Sequence, residues 1–163
     1  MARGFFVWLA AFGLAGAPPG VAPRFEDYPA AAEWDGIRAP LKLSTPAARL
    51  FRTRLLQASR EKPNFASHYR VAIWGCGSNC ISGAIVDLAS GEVLPPPTAI
   101  KGSDAVLNFS FCQSAFDGSG VEFRPDSRLM VVRCGLNVDP RSERNRPAAY
   151  YYVWDDTVFR RAQ

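Results

Sequence analysis

Asn64-Phe-Ala-Ser-His-Tyr-Arg-Val-Ala-Ile-Trp-Gly-Cys-Gly-Ser-Asn-Cys-Ile-Ser-Gly-Ala-Ile-Val-Asp-Leu88 contains the single histidine of the chain, His68, and two of its four cysteines. Its two apolar runs read as strands, and Gly75, Gly77, Cys76 and Cys80 between them read as a tight loop. Strand side chains alternate between faces. That parity sets Tyr69, Val71 and Ile73 opposite Leu88, Val86 and Ala84, with Arg70 facing Asp87 and Trp74 facing Gly83. Cys76 then lies beside Cys80 across the loop neck, where a disulfide would clip the hairpin. An exposed cross-strand Arg-Asp pair contributes only a few tenths of a kcal/mol, so it marks register more than it adds stability.

With 163 residues, 48% of them hydrophobic, the chain suits one domain with a buried core. Arg3 followed by the apolar run Phe5 to Ala17 has the form of a secretory signal, a positive start and an apolar stretch too short to span a bilayer. We therefore expect residues 1–17 to be a signal peptide, residues 18–30 an extended lead-in, and residues 31–163 a single disulfide-bonded domain. The whole chain has 19 Lys and Arg against 15 Asp and Glu, and without Arg3 the balance falls from +4 to +3. That is too mild to argue for nucleic acid. Periplasmic or secreted localisation follows from the signal.

Export governs the reading of the cysteines, since thiols in an oxidising compartment form disulfides more often than metal or redox sites. Cys76, Cys80, Cys112 and Cys134 allow three connectivities. Cys76 with Cys80, and Cys112 with Cys134, is preferred, because the second pair ends two apolar runs that could be neighbouring strands. Closing a loop of about twenty residues contributes roughly 3 kcal/mol in the chain-entropy view. Zinc is disfavoured because these cysteines lack paired knuckle spacing. Three residues between Cys76 and Cys80, with no helix opening there, argue against redox exchange.

Trp34-Asp35-Gly36-Ile37 carries a short-hairpin signal, and Leu41 and Leu43 end a first strand. Ser44 or Thr45 can cap a helix that Pro46 opens. Ala47, Leu50, Phe51, Leu55 and Ala58 form its apolar stripe, and Pro63 ends it. Its outer face carries Arg49, Arg52, Arg54, Arg60 and Lys62 against Glu61. Later, Val93-Leu94, part of Ala105 to Cys112, Val121 to Phe123 with Leu129 to Cys134, and Tyr150 to Trp154 with Val158-Phe159 read as strands, the second of each later pair returning from a turn. The fold class is α+β: an antiparallel sheet of several hairpins with one N-terminal amphipathic helix packed on it.

Asn64-Phe65-Ala66-x-His68-Tyr69, Trp74-Gly75-Cys76-Gly77-x-x-Cys80 and Ala84-Ile85-Val86-Asp87, with Gly91 four residues on, resemble a family of small exported bacterial proteins of uncharacterised function. The resemblance runs from Trp34 onward. Ser67 stands where that pattern leads us to expect glycine. It implies export and this fold and carries no catalytic assignment.

Nucleophilic catalysis would have to use His68 as base. Eight extended steps, about 26 Å at ~3.3 Å each, separate it from Cys76, so any partner must come from elsewhere in the fold. No nucleophile elbow, zinc-protease helix motif or phosphate-binding glycine loop is present. A clipped loop would instead hold Ser78 and Asn79 rigidly beside Trp74, which lowers the ordering cost of recognition. The sequence reading is thus an exported, monomeric, non-enzymatic binding protein of the bacterial cell envelope, with Trp74, Ser78, Asn79 and His68 as binding residues and no cofactor or metal. Weak attraction to anionic surfaces through Arg49, Arg52 and Arg60 accompanies it. The alternative is a small periplasmic hydrolase that pairs His68 with an acid such as Asp87 or Asp126.

Overall fold

A computed structural model describes residues 22–32, 34–77, 80–97, 110–112, 120–134 and 148–162. The side chains of Cys76, Cys80, Cys112 and Cys134, and residues 1–21 with Ser78 and Asn79, lie outside the described part. The class is α+β. Two short helices, α1 (Pro46–Leu50) and α2 (Arg52–Ala58), accompany strands β1 (Tyr69–Gly77), β2 (Cys80–Asp87), β3 (Val93–Leu94), β4 (Ser110–Cys112), β5 (Val121–Phe123), β6 (Leu129–Cys134), β7 (Ala148–Trp154) and β8 (Phe159–Arg161). Among the described residues all pairings are antiparallel, and they divide into two four-stranded sheets. One runs β1-β2-β3 with β4 also on β2, and the other runs β5-β6-β7-β8.

The sheets split because β2 and β6 are each apolar on both faces, and such strands need cover on two sides. Tyr69, Val71 and Ile85 on one face of the first sheet meet Met130, Val132, Tyr152 and Trp154 of the second around Phe65. The opposite face, with Ala72, Trp74, Ala84 and Val86, is covered by Ala47, Ala48, Leu55 and Ala58 of the helices. The first sheet is therefore the middle layer. Thr45 caps α1, its hydroxyl accepting the Ala48 N–H at 3.1 Å, with Pro46 following it. The single helix expected from Pro46 to Lys62 is divided at Phe51, whose ψ of 20° leaves the helical region. That break lets the Phe51 ring meet Trp74 with centroids 4.7 Å apart.

The expected hairpin register is corrected by one residue. Gly77 pairs with Cys80, but a bulge between Gly75 and Gly77 shifts every pair below it: Trp74 faces Ser82, Arg70 faces Val86 and Tyr69 faces Asp87. An extra residue on one strand has this effect. Arg70 pairs instead with Glu61 and donates to the Lys62 carbonyl at 3.2 Å. Nor do Trp34-Asp35-Gly36-Ile37 and Leu41-Leu43 form a hairpin or strand. Residues 34–44 run without regular structure; Ala39 and Lys42 donate N–H bonds to the carbonyls of Leu88 and Gly91 at 3.0 and 2.8 Å. No second apolar run follows the Asp-Gly step closely enough to pair with it, so its backbone groups go to the turn after β2.

That turn requires glycine, because Gly91 has φ +80° and a Cβ there would sit 2.0 Å from the Pro40 carbonyl oxygen. The lead-in is not simply extended either. Phe25–Asp27 form a 3₁₀ turn, anchored where the buried Ser127 hydroxyl lies 2.8 and 2.9 Å from the carbonyls of Phe25 and Tyr28 and accepts the Leu129 N–H at 3.2 Å.

Candidate functional site

Asn64 to His68 form an arm laid along the outer edge of β1. The Asn64 amide acts as a miniature strand: its Oδ1 accepts the Val71 N–H at 2.7 Å and its Nδ2 donates to the Val71 carbonyl at 3.1 Å. Backbone bonds from Asn64 and Phe65 to Tyr69 extend the same cover. The chain then reverses through Ala66 and Ser67, with φ of 40° and 74°. Glycine is the residue that adopts such angles without strain, which gives the expected glycine at position 67 a physical basis. Ser67 is held in place nonetheless, donating its N–H to the Pro125 carbonyl and its hydroxyl to the Ala32 carbonyl, each at 2.8 Å.

This reversal places His68 between two rings, its centroid 4.1 Å from Tyr69 and 6.3 Å from Trp34. Gly36 contributes, because a Cβ there would lie 2.4 Å from the Trp34 indole nitrogen; its absence lets the indole fold back over its own chain. His68 Nε2 lies 3.5 Å from Asp87 Oδ1. Asp87 comes within reach because the bulge-shifted register sets it opposite Tyr69.

The carboxylate, however, is committed to its own turn. Oδ1 accepts the N–H groups of Ala89 and Ser90 at 2.8 and 3.1 Å, and Oδ2 accepts the Ser90 hydroxyl at 2.7 Å. The chain of contacts thus reads Ser90, Asp87, His68, with the carboxylate in the middle. Base-assisted nucleophilic attack needs the imidazole in that place. Among the described residues, the imidazole lies against Trp34, Tyr69 and Asp87 and has no hydrogen bond or ion pair with Asp126 or with a hydroxyl. Burial pushes the Tyr69 phenol up, so it stays neutral at ordinary pH. The His68 carbonyl accepts the Leu88 N–H at 3.1 Å, which ties the arm to the end of β2.

Trp74, expected beside the apex as a binding residue, is 6% exposed and belongs to the helix-side core. Its parity with Ala72 directs it to that face, so its place in the binding set is corrected to a packing role. Ser78 and Asn79 lie outside the described residues, and pairing of Gly77 with Cys80 leaves only those two between the strands. The backbones of Cys112 and Cys134 belong to different sheets, β4 pairing with β2 and β6 with β7. The premise of neighbouring strands is therefore not met, while the bridge itself rests on side chains outside the described part. No group of three or more His, Cys, Asp or Glu able to hold a metal occurs among the described residues.

Of the cations assigned to anionic surfaces, Arg49 donates to the carbonyls of Leu43 and Ser44, both at 3.1 Å, whereas Arg52 and Arg60 flank an open groove on α2. Asn64 as an edge cap and Asp87 as a turn former were missed from sequence. Asp87-x-Ala89-Ser90-Gly91 carried a signal for the second, an Asp that caps its own turn ahead of a glycine. Comparison with known proteins finds no matching family model, no matching curated protein and no matching solved structure.

Proposed function

We infer that this chain is an exported, non-enzymatic binding protein of the bacterial cell envelope that recognises its partner through the β1–β2 hairpin. The observation that carries this reading is the hairpin itself. It is the middle layer of the fold, covered by the helices on one face and by the second sheet on the other, and its ladder continues to Gly77 and Cys80. So well-braced a stem fixes the ends of whatever it carries, which lowers the ordering cost of recognition. The order of Ser90, Asp87 and His68 supports binding over hydrolysis, because among the described residues no hydroxyl bonds to the imidazole.

The test is affinity capture of envelope proteins from the native host, comparing the chain lacking residues 1–17 with a Ser78→Ala, Asn79→Ala variant. A partner held by the first and lost by the second is the expected result. Equal recovery by both removes the apex from the reading. Turnover of ester or peptide substrates that disappears in His68→Ala would replace it with the hydrolase.

A further inference from the structure

The outer edge of β1 is closed along only part of its length. Antiparallel strands direct the backbone groups of alternate residues to opposite sides, and Tyr69 and Val71 point theirs away from β2, toward Asn64 and Phe65. Ile73 and Gly75 share that direction. Among the described residues none bonds to the backbone of either. Ile73 is also 42% exposed, one of four large apolar side chains left exposed among the described residues. An unpaired strand edge with an exposed apolar residue is a template for an added strand.

Beside this edge, between it and α2, lies a hollow of about 140 Å³ bordered by Arg54, Gln57, Glu61, Arg70 and Trp74. It has room for a few waters or one short side chain. Its walls carry two arginines and one carboxylate, Glu61, which already pairs with Arg70, so Arg54 leaves one cation over. Arg54 has no ion pair among the described residues, and Arg70 uses Nη1 on Lys62 and Nη2 on Glu61, leaving its buried Nε without a partner.

We propose that the Ile73–Gly75 edge of β1 binds an extended acidic peptide segment as an added strand, seating one carboxylate side chain in the hollow against Arg54 and Arg70. The two faces of the added strand set its pattern. Side chains toward the helices meet Arg54, and those toward the second sheet meet Ile73, so the segment alternates acidic and apolar residues. A second copy of this chain is the poorer occupant. Pairing two β1 edges antiparallel would set the two α2 helices side by side on one face, with Arg54 facing Arg54. The proposal extends the binding reading from the apex to the edge and does not require Ser78 or Asn79.

The test is fluorescence anisotropy of the purified chain with a labelled eight-residue peptide alternating Glu and Val, and with its Lys-Val counterpart. The acidic peptide is expected to bind at least tenfold more tightly, and raising salt from 50 to 300 mM is expected to narrow the gap. Ile73→Pro removes an outward-facing donor at an edge where proline is tolerated and is expected to weaken binding at least tenfold. Arg54→Glu, which leaves the edge intact, is expected to weaken it at least fivefold. N-methylation of alternate peptide residues should abolish binding. Equal affinity for the two peptides, or affinity unchanged by both variants, overturns the proposal. So does concentration-dependent dimerisation by light scattering that Ile73→Pro removes, since the edge would then belong to a second copy. Ser78→Ala, Asn79→Ala should bind the peptide normally. Failure of the peptide together with successful partner capture rejects the edge and leaves the apex reading standing.

Discussion

The two halves of one strand edge contrast sharply. Along Tyr69 and Val71 the edge of β1 is sealed by the Asn64-Phe65 arm, while along Ile73 and Gly75 it meets no described partner. The sealed half lies over the Phe65 core, and the open half lies next to Arg54 of α2. Edges are aggregation hazards that proteins usually blunt with charge, proline or cover. β8, one edge of the second sheet, follows that rule with Arg160 and Arg161, both exposed. The same chain can therefore close an edge by side-chain mimicry, guard one with charge, and leave a short stretch unguarded where chemistry for a ligand stands beside it.

The largest effect should come from the anchor of the sealed half. Phe65 is fully buried and stacks on Phe159 with centroids 5.9 Å apart. Phe65→Ala should cost about 3–5 kcal/mol in urea unfolding. Asn64→Ala removes both side-chain bonds to Val71 and leaves that backbone pair without partners. It should cost about 2–3 kcal/mol and lengthen the open edge, read as faster amide exchange at Val71 and greater aggregation.

Ser67→Gly tests the arm's reversal from the other direction. Relief at φ +74° and loss of the hydroxyl bond to Ala32 are each worth about 1 kcal/mol, so the net change in unfolding midpoint should be small. Ile73→Lys on the open half should change stability by less than about 0.5 kcal/mol and reduce any self-association. A loss several times that size would mean that the edge is covered.

The smallest expected effect concerns the turn that leads into β8. Asp155 Oδ1 accepts the N–H of Val158 at 2.8 Å and both the N–H and the hydroxyl of Thr157, while Arg160 pairs with Oδ2. These bonds hold its carboxyl well below the usual carboxylate range. A group depressed in the folded state contributes stability that is present above its unfolded value, about 4, and is lost as pH falls through the folded value. Wild type should therefore exceed Asp155→Asn in stability near pH 6, and the difference should shrink steadily below about pH 4. A difference independent of pH would show that the carboxylate charge has no part in the turn.

Several elements were legible because their signals are local. Val121 to Phe123 and Leu129 to Cys134 flank a turn and pair as expected; so do the final aromatic strand and its partner. The continuous apolar run at the start of β6 is the pattern of a strand covered on both faces, and Leu129 to Val132 are all buried. Other features depended on distant residues. Gly75 and Gly77 flank the bulged Cys76, and glycine inside a strand is a bulge signal, but those glycines read equally as the loop; that one residue moved Arg70 from Asp87 to Glu61 and brought Asp87 to His68.

The amino-acid sequence alone determined the class of the fold, the hairpin and most strand identities, because side-chain periodicity and turn chemistry act over a few neighbouring residues. Only the tertiary structure decided the division into two sheets, the burial of Trp74, the company of His68 and the half-closed edge of β1. Each of these depends on which distant segments compete to cover the same apolar face or to satisfy the same backbone groups, and that competition is resolved only when the whole chain is packed.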